Sequence, residues 1–369
     1  MAVWIRQIET QVPETSYPQE YASQKMQEWI GSEREQRLIR ALYRKSGIDK
    51  RHSVVTDFDS ESGDAFFQRD NDGRLVEPGT ARRNEIFRTA AGPLVVAAAR
   101  RAIANCRGIE TADITHVITV SCTGFYNPGP DYQLVTELGL PHGTQRYHLG
   151  FMGCYAAFPA LRMAKQFCLA DPNAVVLVVA LELCSLHLQL GSGEDSLLAN
   201  SLFADGAAAA LVSARQPATG QPCFKLGNFH STLIPSGKED MAWSIGDRGF
   251  DIALSSYVPK IIGANVSTIL DEIRATEGDL ADQNDIWAIH PGGKAIVDKV
   301  QQSLDLAPEK VAASRQTLRE FGNMSSATVL FVLRRILDQA ANERRKVYAM
   351  AFGPGLTVEM AILETGADS

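Results

Sequence analysis

The segment Val175–Leu183 constrains the fold of this chain more than any other part of the sequence. Its nine residues are almost all Val, Leu and Ala, without the polar alternation of a strand that has one face in solvent. This composition is typical of a strand buried on both faces, in a sheet that helices cover on both sides. We therefore predict a layered α/β fold around this strand.

The chain alternates between further candidate strands and helices from residue 114 onward. Strands are predicted at 114–120, 207–212, 286–289, 347–351 and 358–363. Helices are predicted at 36–45, 84–104, 131–138, 155–168, 257–273, 294–304 and 325–337. The first 85 residues are polar and uneven, and 57–82 is expected to be an irregular surface segment. The alternation repeats, so we expect two similar halves, 1–220 and 221–369, which pack closely.

Charge and cysteine content exclude several classes of function. Acidic residues outnumber basic ones by 43 to 36, giving a net charge of −7, so nucleic acid is not an expected partner. The apolar run Val175–Leu181 is too short to span a membrane, and the N-terminus has no secretory signal pattern. The six cysteines match neither zinc-binding nor disulfide spacing, which favours reduced thiols in a cytoplasmic protein without a metal or cofactor.

Cys154 lies among small residues, in the segment Gly150–Ala157, at a predicted helix start. Glycine before the cysteine permits a sharp turn that exposes the sulfur. The partial positive charge of a helix N-terminus favours the thiolate, which is the reactive form of cysteine. Cys154 is therefore a candidate nucleophile, although a lone cysteine is more often a buried core residue.

Two further polar residues stand beside glycine-rich turns. His290 ends a predicted strand and precedes Pro-Gly-Gly, where it could take the proton of a thiol or pair with a thiolate. Asn323 begins Asn-Met-Ser-Ser, where its amide could donate to a carbonyl oxygen that becomes negative. The alternatives are a capped structural histidine and a helix N-cap. Papain-like proteases also use Cys, His and Asn, but Gly150–Tyr155 does not match their C-G-[SA]-C-[WY] signature.

The motifs taken together resemble those of chalcone-synthase-like type III polyketide synthases, and several positions are similar to bacterial members. The resemblance runs from about residue 35 to 363. It rests on Gly153-Cys154, Ile289–Gly293, Gly322–Ser326, Phe352–Thr357, Lys45–Ile48, Pro128–Leu134 and Leu202–Ala209. It implies a thiolase-like αβαβα fold and a homodimer. It also implies an acyltransferase that loads an acyl group from acyl-CoA, extends it with malonyl-CoA and cyclises the product.

The resemblance also implies residue roles. Cys154 would hold the growing chain, and His290 and Asn323 would stabilise the enolate that decarboxylation leaves. Phe203 matches the gatekeeper phenylalanine, and Lys45 matches a basic residue that binds CoA phosphate. The other expected substrate-binding residues are Cys122, Asn127, Cys184, His187, Trp243, Ile252 and Ser325.

Several of these positions depart from the plant pattern. Asn127 would reach the partner subunit's cavity, Trp243 would fill one part of the cavity, and Ile252 would open another. Cys184 could be a second reactive thiol or a buried structural one. Two expected basic positions fall near Leu38 and Ala41, where Arg37, Arg40 or Arg44 could substitute.

Two other functions remain open at this point. One is a 3-ketoacyl synthase III-like enzyme that performs a single condensation onto an acyl carrier protein. The other is a catalytically silent subunit that binds acyl groups. The starter unit, the number of extensions and the cyclisation route (pyrone, resorcinol or a related aromatic product) do not follow from the sequence.

Overall fold

The computed structural model describes residues 1–56, 58, 65–277, 285–339 and 343–366, so part of the predicted irregular segment 57–82 lies outside the described residues. The strands are β1 Trp4–Gln11, β2 Ser16–Pro18, β3 Lys50–His52, β4 Gln68–Arg69, β5 Leu75–Val76, β6 His116–Ser121, β7 Gln145–Gly150, β8 Val175–Leu183, β9 Asp205–Ser213, β10 Phe224–Leu233, β11 Met241–Gly246, β12 Gly249–Leu254, β13 Ile286–Ile289, β14 Lys346–Gly353 and β15 Thr357–Thr365. The α-helices are α1 Gln19–Trp29, α2 Glu33–Lys45, α3 Thr80–Ala104, α4 Pro130–Leu138, α5 Ala157–Ala170, α6 Glu194–Leu202, α7 Val258–Glu277, α8 Lys294–Ser303, α9 Ala312–Phe321 and α10 Thr328–Gln339. None of the described helices is both long enough and apolar enough to cross a membrane.

Nine strands form one sheet in the order β13-β14-β15-β10-β1-β9-β8-β6-β7. The order β13-β14-β15-β10 repeats the order β6-β8-β9-β1. The strand directions also repeat, since each set has one parallel pair followed by two antiparallel pairs. The two similar halves expected from the sequence are therefore visible in the topology. The predicted division at residue 220 falls between β9 and β10 and stays a prediction.

Helices cover both faces of the sheet and lie between its two halves. Side chains of β8 alternate, with Val176 and Val178 in a core shared with α5 and α10, and Val175 and Leu177 in a second core against α3. Strand β14 divides its side chains in the same way, between the shared core and a third core with α7 and α8. Each fully buried Val or Leu contributes about 1.5–3 kcal/mol. The layered αβαβα fold is confirmed.

Two local predictions need correction. Cys154 does not begin a helix, because α5 begins three residues later, at Ala157. The predicted helix at 325–337 begins as a 3₁₀ turn over Ser325–Ala327, and α10 follows from Thr328. The Ser325 backbone has a φ of 45°, which is incompatible with an α-helical start at that residue.

Candidate active site

Two loops pack back to back at the position of Cys154. Gly153 has a φ of 85°, and a Cβ atom added to it would lie 2.4 Å from Pro354 Cδ. A Cβ atom added to Gly353 would lie 2.4 Å from Tyr155 Cδ1. Only glycine permits this approach, so the Gly-Pro-Gly loop between β14 and β15 fixes the position of the loop that carries Cys154.

Cys154, His290 and Asn323 line one cavity of about 400 Å³, which we call the catalytic cavity. Each comes from a different loop: Cys154 from before α5, His290 from the end of β13, and Asn323 from between α9 and α10. The cavity also contains the predicted residues Lys45, Cys122, Cys184, Phe203, Trp243, Ile252 and Ser325. The fold therefore brings most of the predicted site residues into a single enclosure.

Cys154 is half-buried, and its sulfur accepts a hydrogen bond from Ser325 Oγ at 3.4 Å. Burial raises the pKa of Cys154 to about 11, and hydrogen bonds from Ser325 and Asn323 oppose that rise only in part. Burial therefore opposes the thiolate that the sequence setting was expected to favour. Enclosure removes water from the thiolate, and this cost exceeds the benefit from the start of α5.

His290 is 2% exposed, and neither ring nitrogen has a hydrogen-bond partner among the described residues. Its backbone N–H donates to Met350 O at 2.7 Å, which fixes the main chain at the end of β13. Burial lowers the pKa of His290 to about 3, so the ring is neutral at physiological pH. Among the described residues, nothing competes with a bound ligand for these two nitrogens.

Asn323 has both a structural and a chemical use. Its Oδ1 accepts from the Ser325 N–H at 2.9 Å, and its Nδ2 donates to Gly292 O at 3.0 Å. The second contact ties Asn323 to the loop that follows His290. A carboxamide has two N–H donors, and the second is directed at the Cys154 sulfur on the cavity side.

Glu182 is a buried acid that the sequence analysis did not assign to the site. It is 0% exposed and accepts hydrogen bonds from the Cys122 N–H and the Thr123 hydroxyl, each at 2.9 Å, and from the Ser326 hydroxyl. Burial raises the pKa of Glu182 to about 7. Cys122 Sγ lies 3.4 Å from Glu182 and 3.5 Å from Ser325 Oγ, so a chain of polar contacts links Glu182 to Cys154.

His187 does not line the catalytic cavity, and both of its ring nitrogens are occupied. Nε2 is 2.7 Å from Thr123 O, so it carries the proton, and Nδ1 accepts from the Phe250 N–H at 3.1 Å. Burial lowers the pKa of His187 to about 4. His187 therefore anchors the β11–β12 hairpin. Asn127 is exposed and does not line the catalytic cavity of its own chain.

The exposed rim of the catalytic cavity contains Lys45 and Lys294. Leu38 and Ala41 line the cavity, as their expected positions imply, whereas Arg37, Arg40 and Arg44 do not. Sequence reasoning missed Lys294, although its place directly after Pro-Gly-Gly was a usable signal. It also missed Glu182, the one charge within the apolar segment Val175–Leu183.

The site has the parts of a condensing enzyme: a cysteine, a histidine and an asparagine that converge on an enclosed, mostly apolar cavity. Within the described part of the chain, no group of three or more His, Cys, Asp or Glu side chains could hold a metal ion. The parts and the αβαβα fold together define a cysteine-dependent acyltransferase of the thiolase fold.

The chain belongs to the chalcone and stilbene synthase family. Residues 2–216 match the N-terminal domain described for "Chalcone and stilbene synthases", and residues 225–366 match the C-terminal domain. Bisdemethoxycurcumin synthase of Oryza sativa subsp. japonica is 34% identical over 88% of this chain and 82% of its own length. The 1,3,6,8-tetrahydroxynaphthalene synthase of Streptomyces coelicolor is 36% identical over 78% of this chain and 76% of its own length.

Comparison with solved structures supports the same family assignment. PKS-I from the brown alga Ectocarpus siliculosus superposes with a TM-score of 0.90 at 29% identity, covering 98% of each chain. The Streptomyces tetrahydroxynaphthalene synthase, described as a bacterial type III polyketide synthase, superposes with a TM-score of 0.86 at 30% identity, covering all of both chains. These similarities support a type III polyketide synthase over a carrier-protein-dependent ketoacyl synthase or a silent subunit.

Proposed function

We propose that Cys154, His290 and Asn323 carry out decarboxylative condensation of malonyl-CoA with a cysteine-bound acyl group. The observation that carries this proposal is the convergence on one cavity of a thiol, an amide with an N–H directed at that thiol, and a buried imidazole with no partner among the described residues. In loading, the Cys154 sulfur attacks the acyl-CoA carbonyl. The thiol proton passes to His290 and then to the CoA sulfur as the C–S bond to CoA breaks.

The extension step uses His290 and Asn323 as hydrogen-bond donors. Malonyl-CoA loses carbon dioxide, and the electron pair of the broken C–C bond becomes the enolate of acetyl-CoA. The Asn323 amide and the single N–H of the neutral His290 ring stabilise the enolate oxygen, because fixed donors in a dry cavity cost little reorganisation. The enolate carbon then attacks the Cys154 thioester, which releases the thiolate and gives an acyl chain longer by two carbons. Cyclisation follows after further rounds.

Lys45 and Lys294 are proposed to hold the CoA phosphates at the rim of the cavity. Lys294 packs over Gly47, since a Cβ atom added there would lie 3.3 Å from Lys294 Cδ, so the two ammonium groups lie on neighbouring segments. Arg34 lies three helical turns before Lys45 on the same face of α2 as Leu38 and Ala41, and we assign it to the outer phosphate. In this proposal, Lys294 and Arg34 take the place of the two basic residues that the family pattern expects near Leu38 and Ala41.

Lys294→Ala tests this phosphate assignment. We expect the KM for malonyl-CoA to rise about tenfold at low salt with little change in kcat, because the phosphate contact is equal in ground and transition states. Malonyl-pantetheine, which has no phosphate, should show no change. Lys299→Ala, an exposed lysine on the same helix, is the matched control. Equal effects on both substrates would contradict the assignment.

A homodimer in the cytoplasm is proposed as well. Asn127 lies between the partly exposed aromatic side chains Phe125 and Tyr132, which suits contact with a second subunit. All six cysteines are free thiols, as expected in a reducing compartment. Sedimentation analysis of wild type and Tyr132→Arg would test the interface.

The overall function is tested with purified protein, malonyl-CoA and acyl-CoA starters of two to about eighteen carbons, a range set by the size of typical ligand cavities. Products are identified by mass spectrometry. We expect polyketide masses with wild type and none with Cys154→Ala. Absence of malonyl-CoA consumption with every starter would refute the proposal, and a carrier-protein substrate would then be tried.

A further inference from the structure

Asn323 is attached through its main chain to the C-terminal end of α6. The Asn323 N–H donates to Leu202 O, and Asn323 O accepts from the Ala204 N–H, each at 2.9 Å. These bonds form an isolated parallel bridge between Phe203 and Asn323, outside the named strands. The position of the Asn323 amide in the catalytic cavity therefore depends on where the segment 202–204 lies.

Arg51, on β3, caps this end of α6. One nitrogen of its guanidinium group, Nη1, donates to Asn200 O at 2.7 Å and to Phe203 O at 2.8 Å. The last carbonyl groups of an α-helix have no partner within the helix, and the helix dipole favours a cation beside them. Arg51 does not line the catalytic cavity, so its effect on a substrate held there is indirect.

The same side chain also packs against the residue before Asn323. Gly322 has a φ of 75°, and a Cβ atom added to it would lie 2.9 Å from Arg51 Cγ. A larger residue at this position would displace the apolar stem of Arg51. Arg51 therefore reaches Asn323 by two routes, through hydrogen bonds to the end of α6 and through direct packing on Gly322.

Neighbouring side chains hold Arg51 itself in place. Its Nε donates to Gln19 Oε1 at 2.9 Å, and its guanidinium carbon lies 5.5 Å from the centroid of the Tyr43 ring. The Tyr43 hydroxyl donates to Asn200 O at 2.9 Å, and Gln19 Nε2 donates to Ser201 O at 2.7 Å. Side chains from α1, α2 and β3 thus converge on the last carbonyl groups of α6, and such a supporting shell is what fixes a functional group precisely.

We propose that Arg51 is a positioning residue for the decarboxylation of malonyl-CoA. It fixes the end of α6, and through it the Asn323 amide that stabilises the enolate oxygen. A catalytic group displaced by about 1 Å can lower the rate about 100-fold, so a small shift of this segment has a large effect on the reaction. This inference rests on the proposed role of Asn323 and adds the residue that sets its geometry.

The test measures decarboxylation of malonyl-CoA without a starter, followed as carbon dioxide release. We expect Arg51→Gln to lower kcat about tenfold and to leave the KM within about twofold, because the phosphate contacts at the rim are unchanged. Arg51→Lys keeps the charge at the end of α6 and should lower kcat only about threefold. Lys50→Gln, which changes an exposed residue of the same strand, is the control. Full activity of Arg51→Gln would overturn the inference.

A double-mutant cycle separates positioning from a general loss of structure. Asn323→Ala alone should lower kcat about 100-fold, since one donor to the enolate oxygen is removed. In that background Arg51→Gln should cause no further loss, because no amide is left to misplace. An equal loss in both backgrounds would overturn the inference and give Arg51 a purely structural role. If Arg51→Gln does not fold, Arg51→Lys takes its place in the cycle. Full activity of Asn323→Ala would instead refute the proposed role of Asn323, and the positioning role with it.

Discussion

Glu182 and His290 are both buried beside the catalytic cavity, yet the protein treats them in opposite ways. Hydrogen-bond donors from Cys122, Thr123 and Ser326 surround the Glu182 carboxyl group. The described residues offer His290 no partner at either ring nitrogen. Burial raises the pKa of Glu182 to about 7 and lowers that of His290 to about 3, so both groups favour their neutral forms.

The difference separates a group that holds the site together from one that is kept for the reaction. A buried polar group with many partners stabilises its neighbours, and losing it leaves several donors unpaired. A buried polar group without partners costs stability, and such a cost is typical of functional sites. We therefore expect Glu182 variants to lose stability and His290 variants to lose activity.

The largest expected effect is on catalysis in His290→Gln. Decarboxylation of malonyl-CoA should fall about 10³-fold, because the enolate oxygen loses its principal donor. The melting temperature should stay within about 2 °C of wild type, since no described side-chain hydrogen bond is lost. Activity is followed by carbon dioxide release, with the exposed residue His142→Gln as control. If His290→Gln lost much stability but retained activity, His290 would have a structural role like that of Glu182.

The next largest expected effect is the pH dependence that Glu182 adds to the free energy of unfolding. The unfolded carboxyl ionises near its ordinary pKa of 4.5 and the folded one at about 7. Between these pH values Glu182 is protonated in the folded protein and ionised in the unfolded chain. Its contribution to the free energy of unfolding therefore decreases by about 3 kcal/mol as the pH rises from about 4.5 to 7. The difference between wild type and Glu182→Gln isolates this contribution, because buried histidines such as His187 act in the opposite direction.

Denaturant unfolding at several pH values measures the Glu182 effect, with Glu137→Gln, an exposed acid, as control. Glu182→Gln should also lower stability by about 2 kcal/mol at acidic pH, since its amide group places donors against donors. Parallel pH profiles for wild type and Glu182→Gln would show that Glu182 is already ionised in the folded state.

The smallest expected effect concerns Cys154. With a pKa of about 11, its alkylation by iodoacetamide should be slow at pH 7 and rise about tenfold per pH unit up to pH 10. Ser325→Ala removes a hydrogen bond to the sulfur and should slow the reaction further. Mass spectrometry of the labelled peptide gives the rate. Fast, pH-independent alkylation near neutrality would show that His290 already holds the thiol proton, and would remove the contrast with Glu182.

Much of the site was predictable because its residues sit beside local signals. Val175–Leu183 is a strand with the predicted bounds, and Cys154, His290 and Asn323 each adjoin a glycine-rich turn. The Gly353-Pro354 pair belongs to one of the motifs that carry the family resemblance, and it packs against Gly153 and Tyr155. Short-range patterns of this kind predict local structure because the backbone geometry of these turns requires glycine.

The missed features depend on distant partners. Strand β1 lies in the middle of the sheet but contains Arg6, which is 2% exposed and donates to the carbonyl oxygens of Arg107 and Arg215. A strand that contains a buried charge hydrogen-bonded to remote carbonyl oxygens has no apolar pattern to detect. A second cavity, which residues of α1 and β3 help to line, was missed for the same reason, since both elements lie in the polar, uneven first 85 residues. The raised pKa of Cys154 depends on enclosure, which sequence does not measure.

Trp243 and Ile252 are direct cross-strand partners on the β11–β12 ribbon, which is not part of the nine-stranded sheet. The ribbon is held to the rest of the protein by contacts such as Phe250 to His187 and Trp243 to Cys122. A substitution at Trp243 or Ile252 would therefore reshape the wall of the catalytic cavity on a segment whose pairing the main sheet does not require. In evolutionary terms, the ribbon is a place where the product can change while Cys154, His290 and Asn323 stay in position.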